Sequence, residues 1–375
     1  MRLFIFFILC TYYITSPAQT DTLHLNQIQI LASHNSYKKT PDERVMKFLM
    51  KQKKRLGDGL NPEGIDYGHL TFDEQFDNYG IRGLEIDIYN DPQGGVFYKR
   101  RINGFIKGKS KNSDVNELKQ PGFKVLHIKD VDYETNYYTF KDALRAVKQW
   151  SDAHPKHLPL FINIETKGDS PGDESRLLHF VGFRRCIKFD ASACDSIDSE
   201  IKSVFGSDLK GILTPDRIRG SFPTLDAMAT DNGWPQLSNC RGKIIFIMEG
   251  QAVKSYLSNH PSLQGRAMFV YAQPGTPECA FVVRNEPEKE DKINELVAKG
   301  YIVRTRADSE TREARSNDYT RMKNAFDSGA QIISTDYYKP DTRFSTYQVK
   351  FPNGQFARKN PLNVHTADAQ TGLKE

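Results

Sequence analysis

Short apolar runs rich in β-branched residues recur along the whole chain, and helix-like segments separate many of them. About eight such runs stand out, Ile28–Ser33, Gly83–Tyr89, Lys124–Ile128, Leu158–Thr166, Lys243–Met248, Ala267–Ala272, Tyr301–Arg306 and Ala330–Thr335. Between them, Phe140–Ala153 carries Phe140, Ala143, Leu144, Val147 and Trp150 at helical spacing. Glu288–Lys299 and Ser316–Ser328 read the same way, with Gly300 and Gly329 placed to end them, and a short helix is expected over Leu225–Ala229. Strand alternating with helix implies a parallel sheet joined by crossovers. Roughly eight repeats point to an α/β fold of the (β/α)8 TIM-barrel type rather than an open doubly wound sheet. The lack of a Gly-rich turn after the first run also argues against a dinucleotide fold.

The 375 residues show no linker or compositional break after the N-terminus, so a single catalytic domain over residues 19–375 is expected. Two stretches are long for loops, Lys38–Tyr79, with a helix expected around Glu43–Lys54, and Asn90–Phe123. Both follow strands and would hang over the C-terminal face of a barrel, where active sites of this fold sit. The tail after Phe351 is polar and is expected on the surface.

At 38% hydrophobic and 26% charged, the chain can bury a large core. A net charge of +5 without a concentrated basic face does not suggest nucleic acid. One basic cluster, Lys99-Arg100-Arg101 with Lys107, Lys109 and Lys111, reads as a solvated loop or as a surface meeting anionic phospholipid headgroups. Residues 1–18 read as a secretory signal peptide. Arg2 precedes an apolar run from Leu3 to Leu9, and Ser16-Pro17-Ala18 offers small residues for cleavage after Ala18. The protein is therefore expected to be secreted or periplasmic, and to act as a monomer. Cys10 has Leu9 before it, where lipidation wants a small residue. The remaining Cys186, Cys194, Cys240 and Cys279 are expected as disulfides, Cys186–Cys194 and Cys240–Cys279. His154 and His157, flanking Pro155, read as surface histidines.

The polar residues that interrupt the runs cluster toward their C-terminal ends. The first run ends in His34 and Asn35. In the second, Leu84, Ile86 and Ile88 point one way and Glu85 and Asp87 the other, because strand side chains alternate. Two acids on one face of an apolar strand repel and lose hydration unless something positive lies between them. His127 and Lys129 share a face of the third run, and Asn163, Glu165 and Lys167 a face of the fourth. Arg304 and Arg306 follow, then Ser334 and Asp336. Lys129 and Asp336 taken singly read as structural salt bridges, and the two arginines could simply neutralise Glu85 and Asp87. Recurrence at the same end of six runs favours a shared site.

Asn35, Glu85, Asp87 and Glu165 offer oxygen donors with three negative charges, a set that suits Ca2+ or Mg2+ rather than zinc. His34 and His127 remain for proton transfer or transition-state hydrogen bonds. The arginines and Lys167 can hold an anion. Together these describe metal-assisted phosphodiester cleavage.

The motifs Ser33-His34-Asn35-Ser36-Tyr37, Arg82-Gly83-Leu84-Glu85-Ile86-Asp87, Val125-Leu126-His127 and Phe161-Ile162-Asn163-Ile164-Glu165 resemble the catalytic barrel of phosphatidylinositol-specific phospholipase C, closest to the calcium-dependent secreted bacterial type. The resemblance extends to Val303–Asp308 and Ser334–Tyr337. It implies Ca2+ held by Asn35, Glu85, Asp87 and Glu165. It further implies that His34 hydrogen-bonds the phosphoryl oxygen and His127 protonates the diacylglycerol leaving oxygen. Glu85 or Asp87 would take the proton of the inositol 2-hydroxyl, which attacks the neighbouring phosphorus and gives a 1,2-cyclic phosphate. Lys167, Arg304 and Arg306 are expected at substrate phosphate or hydroxyls, and Tyr337 against the inositol ring. Eukaryotic members carry lysines on the fifth strand for extra ring phosphates. Here that strand ends Met248-Glu249-Gly250, so plain phosphatidylinositol in membranes is the expected substrate. The competing readings are a glycerophosphodiester phosphodiesterase, which normally has Arg-Gly after the first histidine where this chain has Asn35-Ser36, and a catalytically inactive lipid- or sugar-binding barrel.

Overall fold

Among the described residues ten strands form, β1 (Ile28–Ser33), β2 (Gly83–Tyr89), β3 (Lys124–Val125), β4 (Leu160–Thr166), β5 (Ile244–Gly250), β6 (Phe269–Val270), β7 (Phe281–Val283), β8 (Ile302–Arg306), β9 (Ile332–Thr335) and β10 (Ala357–Lys359). The computed structural model describes residues 23–56, 60–169, 183, 185–362 and 373. The expected signal segment 1–18, with Cys10, lies outside the described residues. Eight strands pair in the order β6-β5-β4-β2-β1-β9-β8-β7, every neighbouring pair parallel. A single parallel bridge, Tyr271↔Phe281, joins the two ends of that row. The result is the expected (β/α)8 barrel, nearly closed.

The eight barrel strands are not quite the eight expected. Lys124–Val125 runs antiparallel to the end of β2, with Ile88 opposite Val125 and Tyr89 opposite Lys124, and lies outside the ring. The strand that completes the ring is Phe281–Val283, a three-residue run too short to carry a period of its own. The polar tail contributes β10, which lies antiparallel on the start of β1, with Ile28 opposite Lys359. Arg358 Nε there donates to Gln29 Oε1 at 2.7 Å.

The helices follow local chemistry. Phe140–Ala153 starts where the Thr139 side chain accepts from Asp142 N, and it buries the five residues whose spacing predicts it. The helix within Lys38–Tyr79 spans Glu43–Leu56, and a second, Phe72–Tyr79, opens with a Thr71/Glu74 capping box. The expected helix over Ser316–Ser328 begins only at Thr320 and runs to Asp327, because Ser316 instead ends a separate short helix, Arg312–Ser316, after which Asn317 turns left-handed at φ 54°. Ala191–Phe205, between β4 and β5, has no counterpart in the sequence reading. Among the described residues, no helix is long and apolar enough to cross a membrane.

Two expectations about side chains are corrected. Cys186, Cys194, Cys240 and Cys279 are all buried and none is in a disulfide, so the pairs Cys186–Cys194 and Cys240–Cys279 do not form. Each thiol faces its own carbonyl, those of Asp169, Ala252, Gln236 and Ala272 respectively. His157 is not a surface residue. It is buried, with Nε2 2.7 Å from Ser151 Oγ and Nδ1 2.6 Å from Leu158 O.

Candidate active site

The turn that leaves β1 is tied to β2 before any catalytic group is placed. Ser33 Oγ donates to Ser36 Oγ at 2.6 Å, Glu85 N donates to Ser36 Oγ at 2.7 Å, and Ser36 N donates to Glu85 O at 2.9 Å. Asn35 occupies the left-handed region at φ 48°, which asparagine tolerates better than most residues. This geometry fixes His34 and Asn35 beside Glu85. Gly83 lets the strands approach so closely that a Cβ there would lie 2.5 Å from the Ala32 Cβ.

Strand register then assembles the acids. Glu85 pairs with Asn163 and Asp87 with Glu165 across β2 and β4, and Glu165 pairs with Glu249 across β4 and β5. One oxygen from each of Glu85, Asp87 and Glu165 lies within 4.8 Å of the others. The positive charges that this cluster demands come from two sides. Arg304, on β8, forms an ion pair with Glu85 Oε2 and lies 3.6 Å from Glu249. Lys167 Nζ donates to Glu165 Oε1 at 3.0 Å and lies 3.5 Å from Asp87 Oδ2.

These surroundings set the acids apart. Burial pushes the Glu85 carboxyl up, but the charges of Arg304, His34, Arg306 and Lys167 outweigh it and hold the group below the usual carboxylate range. Burial pushes Asp87 well above that range. Lys167 opposes the rise, while Glu165 and Glu85 add to it. Among the described residues, no group gives either buried Asp87 oxygen a well-formed hydrogen bond. The Tyr37 hydroxyl, which faces Asp87, donates at 3.5 Å to Asn35 Oδ1. Buried carboxylate oxygens left without donors, beside two further acids and an amide oxygen, suit a hard divalent cation.

Each histidine leans on its own carboxylate. His34 Nδ1 is 2.7 Å from Asp336 Oδ1, and its Nε2 is 3.6 Å from Glu85 Oε1 and 3.2 Å from Arg306 Nη1. Arg306 Nη2 holds the other Asp336 oxygen at 3.0 Å. Burial alone would raise the Asp336 carboxyl, but His34 and Arg306 hold it well below its usual value. Asp336, individually read as a structural salt bridge, therefore belongs to the site.

His127 arrives by a different route from the one expected. It lies beyond β3, where a tight turn folds the chain back, with Asp130 at φ 68° and Ile128 N donating to Asp132 O at 3.0 Å. That turn places Asp132 Oδ2 2.8 Å from His127 Nδ1. Behind it the fully buried Lys38 Nζ lies 3.1 Å from the same oxygen. Burial lowers the His127 pKa, and Asp132 opposes that fall. Lys129, expected on the same face as His127, is buried and paired with Asp130 at 2.6 Å.

A cavity of about 910 Å³ opens over this constellation, lined by His34, His127, Tyr67, Arg306, Asp336 and Lys54 among others. Of the expected substrate-contacting residues, Arg306 reaches it. Arg304 is buried beneath, committed to Glu85, and Lys167 is held by the acids. Tyr337 is buried behind Tyr67, 6.5 Å between ring centres, and Tyr67 is the aromatic ring on the cavity wall. Tyr67, Asp132 and Lys38 have no place in the sequence reading. The one available signal was Asp132, five residues past His127, across a stretch that has to turn.

A model of the Ca2+-dependent phosphoinositide phospholipase C family matches residues 23–361. The chain belongs to that family. This phospholipase C is thus a phosphoric diester hydrolase that uses Ca2+, and the cluster of Glu85, Asp87 and Glu165 is of the chemistry such an ion needs. No curated protein matches the sequence. Among solved structures, it is similar to the calcium-dependent phosphoinositol-specific phospholipase C of the Gram-negative bacterium Pseudomonas sp., at 16% identity and a TM-score of 0.53, over 92% of this chain and 97% of that one. It is also similar to the Ca2+-dependent phosphatidylinositol-specific enzyme of Streptomyces antibioticus, at 15% identity and a TM-score of 0.51, over 84% and 94% of the two chains. At these identities the likeness is one of fold.

Proposed function

We propose that this phospholipase C cleaves membrane phosphatidylinositol into diacylglycerol and inositol 1,2-cyclic phosphate. The observation that carries this reading is the pair of carboxylate-held histidines on one cavity wall, His34 with Asp336 at 2.7 Å and His127 with Asp132 at 2.8 Å, beside the three-acid cage. Asn35, Glu85, Asp87 and Glu165 would hold the calcium ion. When bound, that ion acidifies the inositol 2-hydroxyl and offsets charge on the phosphoryl oxygens.

The protein's own groups do the rest. Glu85 Oε1 lies 3.6 Å from His34 Nε2, while its other oxygen is tied to Arg304. Oε1 is therefore the acceptor for the 2-hydroxyl proton as the 2-oxygen attacks phosphorus in line. His34 and Arg306 hydrogen-bond the phosphoryl oxygens, with Asp336 fixing both. His127 gives its proton to the departing diacylglycerol oxygen, and Asp132 keeps the imidazole basic enough to carry it. The acid Glu249 beside Arg304 favours plain phosphatidylinositol over ring-phosphorylated lipids.

The lipid approaches along the helix Glu43–Leu56, whose Lys53 and Lys54 line the cavity. Phe105 (52% exposed) stacks on Phe48 of that helix, and Met50 is also exposed. Of the basic loop, Arg100 and Lys109 lie against Glu134 and Asp42, which leaves Lys99, Lys107 and Lys111 exposed toward anionic headgroups. Export through the N-terminal signal, with cleavage after Ala18, and action as a monomer complete the reading.

The test is a vesicle assay. Purified protein with Ca2+ should release water-soluble cyclic inositol phosphate from phosphatidylinositol vesicles, and chelator should stop it. Release of glycerol phosphate from deacylated lipid, with intact vesicles untouched, would overturn the proposal in favour of a glycerophosphodiesterase.

A further inference from the structure

Lys167 takes no part in the proton transfers above, yet its ammonium is built into the carboxylate cage. Nζ lies 3.0 Å from Glu165 Oε1 and 3.5 Å from Asp87 Oδ2. The backbone behind it is fixed, since Lys167 N donates to Ile88 O at 2.9 Å and Thr166 is registered against Gly250. The side chain is 21% exposed, so its flexible stem is the part free to move. Arg304 is the opposite case, since its buried guanidinium is gripped by Glu85, Glu249 and Ser334 Oγ and has nowhere to go.

A calcium ion takes oxygens at about 2.3–2.6 Å. Coordination by the oxygens that already hold Lys167 would bring two cations within roughly 4–5 Å of each other, in a site where water screens poorly. We infer that Lys167 is the cation calcium must displace from Asp87 and Glu165, and that the freed ammonium swings to the cavity side to meet the substrate's phosphate. The inference rests on the cage being the calcium site, as proposed above. It makes the lysine both a brake on metal affinity and a link between the two ligands. With its carboxylates occupied by metal, the ammonium gains most from a phosphate, and by reciprocity a bound phosphate should tighten calcium.

Calorimetric titration of calcium into the whole protein tests this, with and without inositol 1-phosphate as the probe. Lys167→Gln should bind calcium about tenfold more tightly or better, whereas Lys167→Arg, which keeps the charge, should stay near wild type. Inositol 1-phosphate should tighten calcium in the wild type and do so far less in Lys167→Gln. An unchanged or weakened calcium affinity in Lys167→Gln would overturn the inference. Glu165→Gln separates the two levels. If it weakens calcium while Lys167→Gln changes nothing, the displacement idea alone fails. If it leaves calcium untouched, the cage assignment fails and the displacement idea goes with it.

Discussion

At the scale of single residues, the site is governed by which charge faces which ring. Asp132 opposes the effect of burial on His127, so removing its charge should let the imidazole pKa fall further. A general acid must be protonated to act, so Asp132→Asn should move the alkaline limb of the pH–rate profile to lower pH and cut turnover at pH 8 about tenfold or more. An alkaline limb that stays in place would detach Asp132 from the acid. His69, which lines a neighbouring cavity with Tyr67 and Asp336, offers a stability reading. Burial lowers its pKa to about 4, against the opposing charge of Asp336, and its Nε2 lies 2.7 Å from His34 O. The folded protein therefore keeps His69 neutral where the unfolded chain would take a proton. Its contribution is fully present above about pH 6.5 and is lost as pH falls from there toward 4, on the order of 3 kcal/mol. Urea unfolding across that window should show this loss, and His69→Gln should remove most of it. Which residues would bear charge was legible in the sequence. Which would pair was not, because Asp336 and Asp132 reach their histidines through a strand end and a turn whose geometry no spacing reveals.

At the scale of elements, the strands could be read wherever a run was long and apolar enough to show its own period. Gly83–Tyr89 and Ile28–Ser33 fall where the sequence puts them, to the residue. Lys124–Ile128 looks just as strand-like, yet only its first two residues form a strand, antiparallel at the outside of β2, and Ile128 bridges back to Asp132 in a turn instead. Pairing depends on what lies across the sheet, which one strand's composition does not encode. The close approach of β1 and β2 is the most exacting contact here. Gly83→Ala would put a methyl 2.5 Å from the Ala32 Cβ, forcing apart the two strands that carry His34 and Glu85. Denaturant unfolding should register a loss of about 1–3 kcal/mol, with a fall in activity that added calcium does not restore. A Gly83→Ala variant as stable and active as wild type would show that the junction can yield.

At the scale of the whole molecule, barrel and mouth were legible because eightfold alternation leaves few alternatives, while the thiols were misjudged. Even cysteine counts in exported chains favour bridges, but each of these four is packed among different elements. Thiol titration of the denatured chain cleaved after Ala18 should find all four free, and reductant should leave its melting temperature unchanged. Two or fewer free thiols would restore the pairing. Closure brings a last consequence. The ring is joined between β6 and β7 by one bridge, Tyr271↔Phe281, whereas β4 and β5 are in register over seven residues, Leu160–Thr166 against Ile244–Gly250. The staves bearing the chemistry, β4, β2, β1, β9 and β8, run consecutively on the far side. The molecule is thus a cask whose closing seam is held by one bridge, separated from the staves of the mouth by β7 on one side and by β5 and β6 on the other.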